Sequence, residues 1–172
     1  MKKLFFLASF ALLGSSVFAQ SDIVPKDYKL VAAADYALYE PQVLKAIDWL
    51  QAHPPEVTKE RAAVSKFFLD WISGSPEVSI NIWEGIVNFT EPNPSLLVIF
   101  TAGWTKYALE TRKFDDELNG NINGLERVID YYEKHGDHLA RDPKVEAYAE
   151  LYKQKKLNTY VKNKLQEFAK TK

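Results

Sequence analysis

The chain has 172 residues, with 22 Lys and Arg against 23 Asp and Glu, a net charge of −1 and no cysteine. That balance argues against a nucleic-acid partner, whose phosphates call for a basic face. With no cysteine there is neither a disulfide framework nor a thiolate nucleophile, so an apolar core must hold a single domain long enough to build one.

Residues 1–19 have the build of a cleavable signal peptide. Lys2 and Lys3 precede an apolar run from Leu4 to Leu13, and Val17 and Ala19 stand three and one residues before a cut after Ala19. This predicts export to the periplasm or the outside, with residues 20–172 as one all-helical domain. The run is shorter than the roughly 20 residues that span a bilayer, and no later stretch is long and uncharged, so no transmembrane segment is expected. No cysteine follows the cut, which excludes a lipid anchor there. Loss of Lys2 and Lys3 takes the net charge to −3, split between −9 for residues 20–152 and +6 for residues 153–172.

Apolar residues then recur every third or fourth position, which predicts helices. Val43, Leu44, Ile47 and Leu50 form a stripe after Pro41, a residue suited to a first helical turn, and Pro54 and Pro55 end it. Val57 and Thr58 read as hydrophobic staple and cap for a helix carrying Val64, Phe67, Phe68 and Trp71, closed by Gly74 and Pro76. Val78, Ile80 and Ile82 alternate like a strand, whereas Ile82, Trp83, Ile86 and Phe89 repeat like a helix, and the helical reading is taken. Asn93 and Pro94 read as cap and first turn of a central helix through Leu96, Phe100, Trp104 and Ala108. Leu118, Ile122, Leu125, Ile129 and Tyr132 form a seam that Gly136 closes. Asp142 and Pro143 open a helix through Tyr152, and Leu157, Tyr160, Val161, Leu165 and Phe168 define a last, lysine-rich one.

The expected architecture is therefore all-α, a single compact antiparallel bundle of about seven helices. Stacked helical hairpins of tetratricopeptide type are the alternative. Trp49 to Trp83 is 34 residues and Trp71 to Trp104 is 33, although the surrounding residues do not follow that repeat's pattern.

Asn119, Gly120, Asn121, Ile122, Asn123 and Gly124, running on to Asp130, follow the spacing of a twelve-residue calcium loop, with Asn119, Asn121, Asn123 and Asp130 as candidate ligands. Three amides in place of carboxylates, Arg127 at the ninth position and Glu126 at the eighth all oppose a hard cation, and the helical seam runs through the motif. His135, Asp137 and His138 offer a second weak metal cluster, short of a full ligand set. A helix and a polar connection explain both groups without metal, so no cofactor is expected.

Most aromatics sit at core spacing, and Tyr36, Tyr39 and Tyr131 are the ones singled out for a solvent-facing, ligand-binding role. No nucleophile elbow, zinc-protease helix or phosphate-cradling glycine loop is present. The leading functional reading is a non-enzymatic binding or interaction domain for a protein, small-molecule or glycan ligand of the cell envelope. The alternatives are a small cell-envelope hydrolase using helix-borne carboxylates such as Asp70, Glu84, Asp115 and Asp116, and membrane-surface association through the lysine-rich last helix. Docking of that helix on its own acidic body is favoured over the membrane, because an intramolecular site costs less entropy.

The run Trp71-Ile72-Ser73-Gly74-Ser75-Pro76, together with Trp104-Thr105-Lys106-Tyr107-Ala108-Leu109, resembles short exported helical proteins of Gram-negative bacteria that carry no assigned function. The resemblance spans the middle half of the chain and implies an exported helical domain, with no site to carry over.

Overall fold

Asp35 starts the first helix by folding back on the chain before it. Its Oδ2 accepts from the backbone N–H of Val31 (2.9 Å) and Ala32 (2.8 Å), and these two bonds hold its carboxyl below the usual range. The computed structural model describes residues 23–170. The expected signal peptide, with its cut after Ala19, lies outside the described residues. Helix α1 runs Ala33–Ala52, eight residues earlier than the apolar stripe alone predicts, with Pro41 inside it. An acidic cap upstream outweighs one lost N–H.

Helix α2 (Lys59–Gly74) starts as expected, with Thr58 Oγ1 accepting from Arg61 N at 3.0 Å. Val57 is 98% exposed and staples nothing. Helix α3 (Ser95–Thr111) follows Pro94, but Asn93 does not cap it through its side chain. Its amide instead grips the backbone of Ala140, donating Nδ2 to O and accepting N at Oδ1, each at 2.8 Å. Helix α4 (Glu117–His135) is capped by Asp116 and ends at Gly136, where a short 3-10 turn (Gly136–His138) begins. Asp142 caps α5 (Pro143–Lys153) as expected, its Oδ1 accepting from Lys144 N at 3.0 Å, and α6 (Leu157–Lys170) follows a short turn.

Six α-helices, rather than about seven, make up the described residues. The difference is the segment through Ile82, Trp83, Ile86 and Phe89, which forms only a tight turn closed by Ile86 N and Val87 N on Trp83 O. Its apolar side chains are drawn two ways. Ile86 and Phe89 enter the core, where Phe89 meets Phe100 and Tyr148, while Trp83 faces outward to stack on Phe168 of α6. One straight helix cannot face both ways. Trp83 therefore stands in a turn while Trp49 stands in a helix, so their 34-residue spacing does not relate equivalent positions.

The core is one cluster of apolar residues drawn from all six helices and this segment. Its centre is the antiparallel pair α3 and α4, with Phe100 over Gly124 and Trp104 over Gly120. Helices α1 and α2 cover one side of this pair; α5 and α6 pack on α4. Leu157 and Val161 of α6 are buried and Tyr160, Leu165 and Phe168 half-buried, so the lysine-rich helix docks on its own domain by its apolar stripe. No helix among the described residues is long and apolar enough to cross a membrane.

Candidate functional site

The calcium-like motif is continuous helix within α4. Its asparagines bond inside the helix: Asn121 Nδ2 donates to Glu117 O and Asn123 Nδ2 to Asn119 O, each at 2.8 Å, and Asn119 Nδ2 to Asp116 Oδ2 at 2.8 Å. Its glycines make room for α3. A Cβ on Gly120 would lie 2.3 Å from the Trp104 ring, and one on Gly124 2.7 Å from Phe100. Helical rise and rotation spread the four proposed ligands along and around α4 rather than curling them about one point. Among the described residues no group of three or more His, Cys, Asp or Glu is gathered as a metal would require.

Tyr131, expected to face solvent, is fully buried, and its hydroxyl donates to His53 O at 3.0 Å. It belongs to a junction that satisfies the carbonyls at the end of α1. Arg61 Nη1 also donates to His53 O (3.0 Å), with its guanidinium 5.8 Å from the Tyr131 ring centre, and His135 Nε2 lies 3.1 Å from Gln51 O. Gln51 Nε2 in turn donates to Asp130 Oδ2 at 2.6 Å. Three sequence candidates, Tyr131, His135 and Asp130, thus meet in one place, where they close a helix end. Asp137 and His138 are exposed beyond it, with His138 Nδ1 3.1 Å from Glu56 Oε1.

Tyr36 and Tyr39 are both half-buried on α1 and pack against the core. Tyr36 leans on Trp71, donates to Leu30 O at 3.3 Å and separates two shallow hollows of about 510 and 280 Å³. Tyr39 sets its edge against Phe67, with ring centres 6.3 Å apart. Asp70 borders the larger hollow, but Lys66 and the Tyr28 hydroxyl, each 2.5 Å from its Oδ2, hold its carboxyl below the usual range. Asp116 is held low in the same manner by Tyr107 (2.6 Å) and Asn119. Acids in that state are poor proton donors at neutral pH.

A different site emerges where α4, α5 and α6 meet. A groove of about 490 Å³ opens there, lined by Asn119, Ile122 and Glu126 of α4, by Tyr152, Lys153 and Lys155 at the end of α5, and by Leu157 and Asn158 at the start of α6. The three α4 residues are spaced three and four apart and so share a face. Glu126 is half-buried, burial pushes its carboxyl above the usual range, and it makes no hydrogen bond or ion pair with any of the described residues. Lys153 reaches Glu133 and Glu150, each at 3.5 Å, whereas Lys155 has no ion pair among the described residues.

Lys155 owes its position to the way α5 ends. Lys156 N donates to Leu151 O (2.8 Å) and Lys155 N to Tyr152 O (2.9 Å), the two bonds of a Schellman stop, with Lys155 left-handed at φ 58. Glycine is the usual occupant of that place, and a lysine there costs roughly 1–2 kcal/mol. The chain carries that cost at a residue lining the groove.

In the sequence Glu126 stands out only as a flaw in a calcium loop, and Tyr152, Lys155 and Asn158 carry no mark of a site. The one available signal was an acid interrupting the apolar face of α4 four residues after Ile122. Compared with models of known families, with curated proteins and with solved structures, the chain matches none.

Proposed function

We propose that the protein is a non-enzymatic binding domain, exported by a signal peptide in residues 1–19 to the periplasm or the outside, and that the groove between α4, α5 and α6 seats its ligand. The observation that carries this reading is Glu126, a half-buried carboxyl without a partner among the described residues, in a groove whose walls include Ile122, Leu157 and Tyr152. Concave, mostly apolar sites with a few convergent polar groups are the usual seats of small ligands, and about 490 Å³ lies within their range. The same groove supports binding over hydrolysis. Glu126 is the single acid among its lining residues, and none of Asp70, Glu84, Asp115 and Asp116 borders it. Membrane-surface association is the weaker alternative, because the apolar stripe of α6 is engaged within the domain and leaves only its lysines to attract lipid.

The test is an NMR titration of the purified protein with the anionic dye 8-anilinonaphthalene-1-sulfonate, whose rings and sulfonate suit apolar walls and lysines. Amide shifts centred on Ile122, Glu126, Tyr152 and Leu157, lost in Tyr152→Glu, are expected. Shifts confined to the hollows beside Tyr36 would overturn the assignment. For localisation, the expected N-terminus of protein from a periplasmic or culture fraction is Gln20; an intact Met1 on cytoplasmic protein alone would remove export.

A further inference from the structure

We infer that the groove recognises a short peptide carrying a free amino group, a free carboxylate and an apolar side chain, with Glu126 taking the amine, Lys155 the carboxylate, and Ile122 and Leu157 the side chain. The inference rests on the groove being the ligand seat and adds the chemistry of its ligand.

Its first support is a mismatch of charges. Glu126 and Lys155 line the same groove, both unpaired among the described residues, and are not within ion-pair distance of each other. Elsewhere in the domain, carboxylates near a cation use it: Glu40 takes Arg112 through two bonds, Glu146 takes Arg141 likewise, and Asp48 takes Lys106 at 2.6 Å. A half-buried carboxyl left out of this pattern needs donors from outside the chain. A simple amine would answer Glu126 and be repelled by Lys155, the lysine of the groove not already paired with a carboxylate among the described residues. A simple anion would answer Lys155 and leave Glu126 without a charged partner. A molecule with separated opposite charges answers both.

The second support is Lys155 itself, held left-handed where glycine would relieve the backbone. Strain retained at a residue lining a groove points to use of its side chain. The third is the wall between the two charges. Ile122 of α4 and Leu157 of α6 form a nearly buried apolar floor, 8% and 3% exposed, and Tyr152 beside them is half exposed and supplies most of the open apolar wall. Two or three extended residues span about 7–11 Å and so hold an amino group and a carboxylate well beyond ion-pair distance of each other. Asn119 and Asn158 supply amide groups for the peptide backbone.

The experiment is calorimetric titration of the purified protein with leucyl-leucine, N-acetyl-leucyl-leucine and leucyl-leucinamide, each repeated by NMR. The free dipeptide is expected to bind, and each blocked form to bind about tenfold more weakly or worse, the loss of one charged contact. Glu126→Gln should erase the preference for a free amine while keeping that for a free carboxylate. Lys155→Gly should do the reverse and raise the Tm by about 2–4 °C as the backbone relaxes, a combination that a purely structural role for Lys155 does not produce. Equal affinities for the three compounds overturn the peptide assignment. So does a naphthalene-sulfonate dye that shifts Ile122 and Leu157 while no peptide does, and in that case the groove itself stands. If the dye also leaves these residues unmoved, both readings fall.

Discussion

The indole of Trp104 lies directly over Gly120, so close that a methyl group there would sit 2.3 Å from the ring. One helical turn on, Phe100 covers Gly124 in the same way, so two aromatics of α3 sit in two notches of α4. The glycines weaken α4 as an isolated helix by about 1 kcal/mol each, and the close approach they permit buries Phe100 and Trp104 almost completely. This contact sets how near α4 lies to α3.

Gly120→Ala should therefore destabilise the protein despite its better helix propensity. Forcing Trp104 aside costs about 1–3 kcal/mol, a drop in Tm of roughly 2–12 °C by thermal unfolding. Gly136→Ala is the control: nothing lies within 4 Å of the added methyl and the backbone is already right-handed, so it should be neutral or slightly stabilising. Equal effects of the two substitutions would contradict the notch.

Asn93 holds Ala140 by both halves of its amide across 47 residues. Asn93→Ala leaves the Ala140 N–H and C=O without their partner and a small void where the buried amide was, at about 1 kcal/mol or a little more because Ala140 itself is exposed. Asn93→Asp should be worse near neutral pH, because its second oxygen then faces the Ala140 carbonyl, and should recover in acid as the carboxyl regains a proton to donate. Chemical denaturation at pH values of about 3 and 7, either side of an ordinary aspartate titration, reads the difference. An aspartate variant as stable as wild type at the higher pH would show that the clamp is dispensable.

The pH response of Glu126 runs opposite to that of Asp116. A carboxyl whose folded pKa is raised gives its full stabilisation below the unfolded value, and that stabilisation is lost as pH rises through the folded value. The Glu126→Gln variant should thus match wild type near the unfolded carboxyl value and exceed it at slightly alkaline pH, by about 0.5 kcal/mol given how open the groove is to solvent. Asp116, held low by Tyr107, stabilises above the unfolded value and loses that contribution as pH falls through the folded one. A Glu126→Gln variant less stable than wild type at slightly alkaline pH would mean that the carboxylate has a partner after all.

Phe168 anchors the end of α6, stacked on Trp83 at 4.9 Å between ring centres and filling the space over Gly85. Trp83 is itself held by Glu117, whose Oε1 accepts from its Nε1 at 2.7 Å. Phe168→Ala should loosen the last turns of α6 at a cost of about 1–2 kcal/mol. Lysyl endopeptidase would then cut faster after Lys162 and Lys164, with the Trp83 fluorescence shifted to the red. Cutting at the wild-type rate would place the anchor elsewhere on the helix.

What the amino-acid sequence determined by itself is local. Thr58 and Asp142 announced helix starts, Gly74 and Gly136 helix ends, and the apolar spacing announced the six helices, because caps and i to i+4 contacts involve residues close along the chain. The apolar stripe of α6 also implied that its lysines would stay outside.

Tertiary structure decided the rest. The spacing of Ile82, Trp83, Ile86 and Phe89 suits a helix, yet the core and α6 pull these side chains in opposite directions. Asn93 has the chemistry of a cap and spends it 47 residues away. Tyr131 looked like surface and became the lid on the end of α1, reaching a carbonyl 78 residues distant. Glu126 and Lys155 share a groove only because α5 and α6 both fold back on α4. Periodicity records that a face will be covered; which partner covers it, and which polar group is left without one, depends on contacts between residues that the chain order keeps apart.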